Sequence, residues 1–346
     1  MNKRITIADL AEAAGVSTMT VSRAINNKDG ISEETRQHIL QLAHEMGYRP
    51  SSLARGLVTQ RTATVGLVVP DIANPFFSQI ARGVENVAYA NGYNVFLLNT
   101  DEDIDREMTA LNSLWEKRVD GLILCSSRLD SAQLTTRLER FPFVILINRF
   151  LETDVAGVCT IDVDDKGGAK QAVDHFIASG HTHVAFVAGP EHSLSSRQRL
   201  EGYHLSLNAH QLPFREEYIK HCVPDTEGGY AAAMALLNNY PEITAVFAFN
   251  DLTATGVLRA CADLNRHVPN DVAIIGVDDI PLASLVTPAL STLRIGKREL
   301  GSTAMRILTQ LMNGKQLVDN CHQIITPELV LRQSTAVVRP TEVSAG

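Results

Sequence analysis

The stretch TIADLAEAAGVSTMTVSRAIN, residues 6–26, carries the side chains with the clearest chemical potential. Ser17 can cap a helix, because its hydroxyl can accept an unpaired backbone N–H. Val21, Ala24 and Ile25 are spaced to form the buried face of that helix. The outward face then carries hydroxyl, amide, thioether and guanidinium groups, on Thr18, Met19, Thr20, Ser22, Arg23 and Asn26. Such groups can donate to, accept from and touch base edges in the major groove of DNA.

A first helix and a turn are predicted just before it. Thr6 is a suitable cap, and Ile7, Leu10 and Ala11 recur at helical spacing. Gly15 permits the left-handed backbone that commonly ends a helix. The stretch therefore predicts a helix-turn-helix whose second helix reads DNA. The alternative is a helical hairpin that only fills a larger core.

Side-chain type separates the expected base readers from the expected phosphate contacts. We expect Thr18, Met19 and Arg23 to reach base edges. The remaining polar groups are expected to hold phosphates mostly, namely Thr6, Ser17, Thr20, Ser22 and Asn26. Met19 can touch only a methyl or another hydrophobic edge, which limits the base pairs that it can recognise.

A third helix is predicted over residues 32–46, with Ser32 as its N-cap, followed by SSLARGLVTQRT over residues 51–62. The latter is too short to be a stable helix alone, so we expect it to become helical only on DNA. An exposed Leu57 suits a wedge in the minor groove. A plain flexible linker is the alternative for this segment.

The formal net charge of −8 is unevenly distributed. Residues 1–61 hold eight Lys and Arg against six Asp and Glu, a net charge of +2, whereas the remainder carries −10. This asymmetry favours phosphate contact by the N-terminal part alone. Because the positive charge is modest, we expect two such parts to bind together.

The length and composition limit the number of domains, the location of the protein and the state of its cysteines. A chain of 346 residues predicts two or three domains. It has no apolar run long enough to span a membrane and no apolar signal core at the start, so we expect a cytoplasmic protein. Five scattered cysteines are expected to be reduced rather than paired or bound to zinc: Cys125, Cys159, Cys222, Cys261 and Cys321.

From residue 64 onwards, continuous Val/Ile/Leu strands such as TVGLVV and AIIGVD alternate with helical segments. This rhythm predicts parallel sheets covered on both faces. It runs through two series, which indicates two doubly wound lobes. The expected fold is thus an all-α helix-turn-helix head joined to an α/β body of two parallel-sheet lobes.

Several motifs make the chain resemble the lactose/galactose repressor (LacI/GalR) family of transcriptional regulators. They are the N-terminal stretch quoted above, GYRPSSLARGL, VGLVVPDIANPFF, GHTHVAFVAGP, RQRLEGY, AVFAFND and DVAIIGVDDIPLASLVTPALSTLR. The resemblance implies a body like that of periplasmic sugar-binding proteins, with three crossings between lobes near residues 160, 290 and 325. It also implies paired hinge helices that insert leucines into the minor groove, here Leu57 with Ala54 beside it.

The resemblance and the strand rhythm together predict the domains. Residues 1–49 would bind DNA, residues 50–62 would form the hinge, and residues 63–340 would bind an effector and dimerise. The N-lobe would comprise residues 63–160 and 291–325, and the C-lobe residues 161–290 and 326–340. The tail after Arg332 has no leucine heptad of the kind used by the family's tetramers, so a homodimer is expected.

Candidate effector-binding residues follow the strands, because doubly wound sheets bind ligands at the carboxyl ends of their strands. After the first strand, Asn74, Phe76 and Phe77 offer an amide and rings for the apolar face of a sugar. Arg149 follows FVILIN, and the position of Arg199 matches the ligand arginine of the family.

Asn250 and Asp278 end two further strands and could orient sugar hydroxyls. A helix cap is the alternative for either, although Asp251 suits that role better. Weaker candidates are Asp162, Ser193 and Ser195.

These features favour a ligand-controlled regulator, most plainly a repressor, with operator DNA and a small-molecule effector, a sugar above all, as partners. A periplasmic-type solute-binding protein without catalysis is the alternative, but it has no use for residues 1–61. An enzyme is not expected, because no nucleophile elbow, CxxC pair or glycine-rich phosphate loop occurs. We also expect no metal and no cofactor.

Overall fold

The computed structural model describes residues 5–48, 61–151, 155–314 and 321–335. The chain folds as two compact units, the head, Met1–Ala63, and the body, Thr64–Gly346. In the part of the chain that the structure describes, no helix is both long and apolar enough to cross a membrane.

The head contains the three predicted helices, α1 (Ile7–Ala14), α2 (Thr18–Ile25) and α3 (Glu33–Glu45). Each begins at a hydroxyl cap that the sequence predicted, because Thr6, Ser17 and Ser32 each accept a hydrogen bond from a backbone N–H of the first turn. Their buried faces meet in a small core formed by Leu10, Ala11, Val21, Ala24 and Ile39. A helical hairpin inside a larger core is therefore excluded for this stretch, since these helices bury their apolar faces within the head.

The N-lobe of the body is built on a sheet with the strand order β11-β5-β4-β3-β1-β2. Its strands are β1 (Thr64–Val69), β2 (Asn94–Asn99), β3 (Gly121–Cys125), β4 (Val144–Ile147), β5 (Val158–Val163) and β11 (His322–Ile325). Its helices are α4 (Pro75–Ala90), α5 (Ile104–Glu116), α6 (Ser131–Leu138) and α12 (Lys297–Met312). Strand residues of β1 and β3 alternate between the two faces, so that Leu67 packs under α4 and α12 and Val68 under α5 and α6.

The C-lobe sheet has the order β12-β10-β9-β8-β6-β7. Its strands are β6 (Val184–Ala188), β7 (Ile219–His221), β8 (Ala245–Ala248), β9 (Ala273–Asp278), β10 (Ser291–Arg294) and β12 (Glu328–Val330). Its helices are α7 (Asp165–Ala178), α8 (Leu194–Ala209), α9 (Thr226–Asn239), α10 (Asp251–Asp263) and α11 (Pro281–Leu285). Only β12 runs antiparallel to its neighbour among the described strands.

The chain crosses between the lobes after β5, after β10 and after β11. The first two crossings come a few residues later than expected. β5 stays paired with β4 up to Ile161, and β10 stays paired with β9 up to Arg294. Ladder hydrogen bonds thus hold both strands in their sheets until the chain leaves at residues 164 and 295–296.

The expectation of five reduced cysteines is wrong for Cys159 and Cys321, which form a disulfide. The two residues are 162 positions apart in sequence, but they lie on the adjacent parallel strands β5 and β11, with a Cα–Cα distance of 4.5 Å. Their proximity depends on strand order, which spacing along the chain does not reveal. Cys125, Cys222 and Cys261 are free, as expected.

Candidate nucleic-acid interface and ligand cleft

The turn before α2 sets the orientation of the predicted reading helix. Gly15 has φ = 64°, and its N–H bonds back to the carbonyls of Ala11 and Glu12. Ser17 then caps α2, and its hydroxyl also bonds that of Thr20 at 2.9 Å. The serine and threonine are therefore turned towards the helix start, where they can still accept or donate to a phosphate.

The expected base readers lie on the open face of α2. Thr18, Met19 and Arg23 are all exposed, and Met19 keeps 65% of its surface accessible. Neither Thr18 nor Arg23 has a hydrogen-bonding side-chain partner among residues 5–48. Asn26 ends the helix, and its amide donates to the carbonyl of Ser22 at 2.8 Å. The remaining expected hinge contacts, Ala54 and Leu57, lie outside the described residues.

Arg36 on α3 is a residue whose role the sequence analysis did not predict. Its guanidinium donates to the carbonyl of Lys28 at 3.0 Å and to that of Ala24 at 3.4 Å. These bonds tie the loop after α2 to α3. The reading helix is consequently held at both ends, by a cap at Ser17 and by this arginine.

In the body, the carboxyl ends of both sheets face one cleft. From the N-lobe it is lined by Asn74, Phe76, Phe77, Glu102, Ser126, Arg128 and Asn148. From the C-lobe it is lined by Ser193, Ser195, Arg199, Pro224, Phe249, Asn250 and Asp278. The cavity between them is about 30 Å³, far below the ~300–1,000 Å³ of an ordinary ligand pocket, so the lobes as they stand leave no room for a sugar.

A larger cavity of about 770 Å³ lies beside β5 and β11, bordered by Asp162, Cys321 and His322. It follows an edge strand and the first crossing rather than the facing strand ends. Polar side chains converge at the ends of the parallel strands, as expected for a binding site of this fold. The smaller cleft is therefore the candidate ligand site.

Aromatic rings stand on both sides of the cleft. Asn74 caps α4 by accepting from the N–H of Phe76, which turns Phe76 and Phe77 towards the strand ends. Their rings meet edge to face at 5.1 Å. Phe249 comes from the opposite lobe. Aromatic side chains from both lobes thus line the cleft and could contact the apolar face of a ligand.

Arg199 reaches the cleft from α8 and is buried. Its Nε and Nη2 contact one carboxylate oxygen of Asp165, at 2.8 and 2.7 Å. Nη1 donates to the carbonyl of Phe249, and the guanidinium lies 4.7 Å over the ring of that residue. The arginine is thereby fixed and its charge is neutralised, while two of its N–H groups stay available for a ligand.

Asp278 ends β9 and is buried in the cleft. Burial raises the pKa of its carboxyl to about 7, against the lowering effect of the charges on Arg199 and Lys297. No side chain or backbone group among the described residues donates a hydrogen bond to that carboxylate. It is therefore a free acceptor in the wall of the cleft.

The expected division of roles between Asn250 and Asp251 is wrong. Asn250 is the cap of α10, because its Oδ1 accepts from the N–H of Thr253 at 2.8 Å. Its amide nitrogen donates to the carbonyl of Pro224 at 3.0 Å. Asp251 lies beneath the cleft, bonded to Thr292 and to the N–H of Ile280, and burial raises its pKa to about 8. Asn250 still lines the cleft, but its side-chain atoms already have partners.

Arg149 does not line the cleft, contrary to expectation. It is buried, and its Nη2 donates to the carbonyl of Leu129 at 2.8 Å. The preceding residue, Asn148, has φ = 52° and faces the cleft in its place. The Oδ1 of Asn148 is buried without a hydrogen-bond partner among the described residues, so it can accept from a ligand.

Glu102 and Arg128 were missed by the sequence analysis. The Nε and Nη2 of Arg128 bind the two carboxylate oxygens of Glu102 at 2.6 and 3.0 Å. Its backbone N–H donates to the buried carboxylate of Glu107, whose pKa is raised by burial. Both cleft residues follow strand ends, β2 and β3, so the rule that found Asn74 could have found them.

Asp162, a weaker candidate, borders the larger cavity rather than this cleft. Burial raises its pKa, with the charge of His322 opposing that effect. Ser193 and Ser195 do line the cleft.

Comparisons with known proteins cover both the head and the body. Residues 6–51 match the model of bacterial regulatory proteins of the lacI family. Residues 62–339 match the model of periplasmic binding proteins and the sugar-binding domain of the LacI family. The catabolite control protein A of Priestia megaterium is 35% identical over 332 residues, covering 96% of this chain and 99% of that protein. The ribose operon repressor of Halalkalibacterium halodurans is 34% identical, covering 95% and 97%.

Among solved structures, the Lac repressor dimer bound to operator and the anti-inducer ONPF is similar, with a TM-score of 0.85 and 29% identity. The match covers 96% of this chain and 99% of that one. One family is indicated by the helix-turn-helix head, by the two-lobed body with a cleft at its strand ends and by the equal length of these relatives. The chain belongs to the LacI family of bacterial regulatory proteins and is a DNA-binding transcriptional regulator with an effector-binding body.

Proposed function

We propose that this protein is a repressor whose operator binding is controlled by a neutral sugar held between the two lobes. The observation that carries the proposal is the cleft itself. Aromatic rings, two free acceptors and two arginines already paired with carboxylates converge there from the ends of both sheets. The ribose operon repressor and the operator-bound Lac repressor among its relatives point the same way.

The charges of the cleft favour a neutral ligand over an anion. Arg128 is neutralised by Glu102 and Arg199 by Asp165. Asp278 adds an acidic group that has no hydrogen-bond donor among the described residues, and its ionised form disfavours a phosphate or carboxylate in the cleft. A sugar hydroxyl can donate to Asp278 and to the Oδ1 of Asn148. The C–H face of the ring would lie against Phe76, Phe77 or Phe249.

Asn74, Phe76, Phe77, Arg199, Asn250 and Asp278 are thus proposed as effector-site residues. Arg149 is proposed only as a support for this site, since it is buried beside Asn148 and lies near the carboxylates of Glu107 and Asp162. Asn250 would support the wall of the cleft by capping α10, rather than by offering a new hydrogen bond to the sugar.

Control would come from opening and closing of the lobes. The cleft is too narrow for a sugar to enter without opening, so binding is coupled to a rotation about the three crossings. We propose residues 1–49 as the DNA-binding domain, 50–62 as the hinge and 63–340 as the body. The family matches over residues 6–51 and 62–339 support this division. An effector that prefers one lobe angle about 100-fold would change operator affinity by roughly 2.7 kcal/mol per site.

The operator would be read by a homodimer. Thr18, Met19 and Arg23 would contact bases, and Thr6, Ser17, Thr20, Ser22 and Asn26 phosphates; Leu57 and Ala54 would act in the minor groove. Exposed apolar side chains support self-association of the body: Tyr89 on α4 and Phe96 and Leu97 on the edge strand β2 are 80%, 43% and 42% accessible.

We further propose that the protein acts in the cytoplasm and has no catalytic activity.

Selection from random DNA with the full-length protein tests the first part. We expect a near-palindromic site whose half-sites lie about one helical turn apart. Arg23→Ala should abolish the footprint, whereas Arg298→Met, an exposed change in the body, should leave it unchanged. Failure to select any site would refute the regulator proposal.

Calorimetry of the full-length protein with pentoses, hexoses, disaccharides and their phosphates tests the second part. We expect one neutral sugar to bind and to change the footprint, and Asp278→Asn to weaken that binding. Tight binding of a phosphorylated sugar alone, or a footprint that no sugar changes, would overturn the assignment of a neutral effector.

A further inference from the structure

We propose that Lys297 is a positioning residue that ties the backbone at Asp278 to the N-lobe, so that lobe rotation moves this effector acceptor. The inference rests on the proposed function, in which Asp278 receives a sugar hydroxyl. It adds a contact that no strand-end rule predicts, because Lys297 begins a helix on the other lobe.

The ammonium of Lys297 binds two consecutive carbonyl groups at the end of β9. Nζ donates to the carbonyl oxygen of Asp278 and, at 2.8 Å, to that of Asp279. Both aspartates have positive φ angles, 106° and 53°. Non-glycine residues rarely take such angles, and they persist where surrounding contacts determine them. The lysine is one of those contacts.

Helix α12, which starts at Lys297, is packed firmly on the N-lobe. An ideal Cβ on Gly83 of α4 would lie 2.1 Å from the carbonyl oxygen of Arg298, and one on Gly301 would lie 2.1 Å from that of Ile80. Ser302 also donates to the carbonyl of Gly83 at 3.3 Å. Such close helix contact means that α12 moves with α4. The Lys297 tie therefore spans from the N-lobe to the C-lobe.

The same turn is anchored to the C-lobe by side chains. The carboxylate of Asp279 accepts from Arg294 on β10 at 2.7 Å and from Arg332, beyond β12, at 2.6 Å. Among the described residues, Lys297 alone donates to the two carbonyls from the N-lobe side. A rotation at residues 295–296 must therefore stretch this tie or carry the Asp278 turn with it.

The tie leaves the Asp278 side chain open for a ligand. Lys297 donates to carbonyls rather than to the carboxylate, so its charge stays close to Asp278 without occupying it. Burial lowers the pKa of Lys297, and the nearby aspartates Asp278, Asp279 and Asp251 oppose that effect. The ammonium thus fixes the position of the acceptor and also lowers the pKa of Asp278.

The first test measures the distance between the lobes in the full-length protein without any sugar or operator. Dyes would be placed by ketone-bearing residues at Glu139 and Val223, both exposed, on opposite lobes. Doubly labelled chains, diluted into unlabelled protein, would be studied by single-molecule energy transfer. We expect one narrow closed population in the parent, and a broader population shifted to longer distances in Lys297→Met.

Two matched variants accompany the distance measurement. Lys297→Arg keeps a cation that can reach the carbonyls and should restore the narrow population. Arg298→Met changes the exposed neighbour and should behave like the parent. An unchanged distance distribution in a folded Lys297→Met protein would overturn the proposal. If Lys297→Met does not fold, the NMR titration of Lys297→Arg described below still tests the proposal.

The second test follows the Asp278 carboxyl carbon by NMR of ¹³C-aspartate-labelled protein, assigned by comparison with Asp278→Asn. The charged and titratable groups that act on this carboxyl are Arg199, Lys297, Asp165 and Asp251. We expect Lys297→Met to raise the midpoint by about one unit, because a nearby positive charge is lost, and Lys297→Arg to restore it. An unchanged midpoint in Lys297→Met, or a raised midpoint in a folded Lys297→Arg, would overturn the tie.

Neither test needs an identified sugar or operator. A change in lobe distance and in the Asp278 midpoint without any sugar binding would support the tie and refute the sugar proposal. Sugar-controlled DNA binding with neither change would support the sugar proposal and refute the tie.

Discussion

Arg199 and Asp165 form a buried ion pair in the cleft, with the Nε and Nη2 of the arginine 2.8 and 2.7 Å from one oxygen of the aspartate. Asp165 is the first residue of α7 and Arg199 lies on α8, so the pair also joins two helices of the C-lobe. The side chains are 5% and 3% exposed, which means that neither charge can be hydrated if the other is removed.

Removal of one partner should therefore be costly. We expect Arg199→Met to lower the free energy of unfolding by about 3–5 kcal/mol, because it leaves Asp165 as an uncompensated buried charge. The double variant Arg199→Met with Asp165→Asn should recover part of that loss. Urea unfolding of the four proteins in a mutant cycle measures the coupling. A single variant within about 1 kcal/mol of the parent would contradict the pair's role.

Asp278 should make stability depend on pH. Its pKa is about 7 in the folded protein against an ordinary value of 3.8, so the folded state keeps a proton that the unfolded state has lost between these values. The free energy of unfolding should fall as pH rises from about 4 to about 7 and then level off for this group. Asp251, with a pKa of about 8, extends the fall slightly further.

Chemical unfolding at a series of pH values checks this. Asp278→Asn cannot lose a proton and should show a shallower slope over the same window. Sugar binding should have the opposite dependence, strengthening as pH rises through about 7, because the ionised carboxylate is the better acceptor. If Asp278→Asn showed the same slope of unfolding free energy against pH as the parent, groups other than Asp278 would be responsible for that slope.

Reduction of the Cys159–Cys321 bond should destabilise the body. The bond closes a loop of 162 residues, and loss of such a long cross-link costs about 2–5 kcal/mol of unfolding free energy through the entropy of the unfolded chain. Urea unfolding with and without a thiol reductant gives the difference. The variant Cys159→Ser with Cys321→Ser should be insensitive to the reductant, since the three other cysteines are unpaired. Equal midpoints for the reduced and oxidised parent would contradict this expectation.

Met19 should set the base preference at one position of each half-site. It is the most exposed large apolar residue at the start of α2, and it cannot hydrogen-bond a base edge. Met19→Gln supplies an amide that can bind adenine, so we expect a changed preference worth about 1–3 kcal/mol per half-site.

Selection from randomised operators measures that preference. Asn26→Ala provides the comparison, because loss of an expected phosphate contact should weaken binding to all sequences alike. An unaltered selected site with Met19→Gln would place Met19 away from the bases.

Local rules account for the parts of the structure that the sequence predicted well. The caps at Thr6, Ser17 and Ser32 depend on a hydroxyl and the next three residues. The buried strands depend on continuous apolar runs, and the placement of Asn74 and Asp278 depends on their position directly after such runs. The helix-turn-helix, the two lobes and most of the cleft follow from interactions over a few positions and from the family resemblance.

The amino-acid sequence by itself determined which segments are helices and strands, and that polar groups gather where strands end. Only the tertiary structure decided which of those groups face the ligand, because strand order and single backbone angles control it. A left-handed residue at Asn148 turns that side chain, and not Arg149, towards the cleft. Strand order brings Cys159 to Cys321, and a helix from the other lobe brings Lys297 to Asp278. Contacts of this kind join residues far apart in the chain, so no spacing in the sequence encodes them.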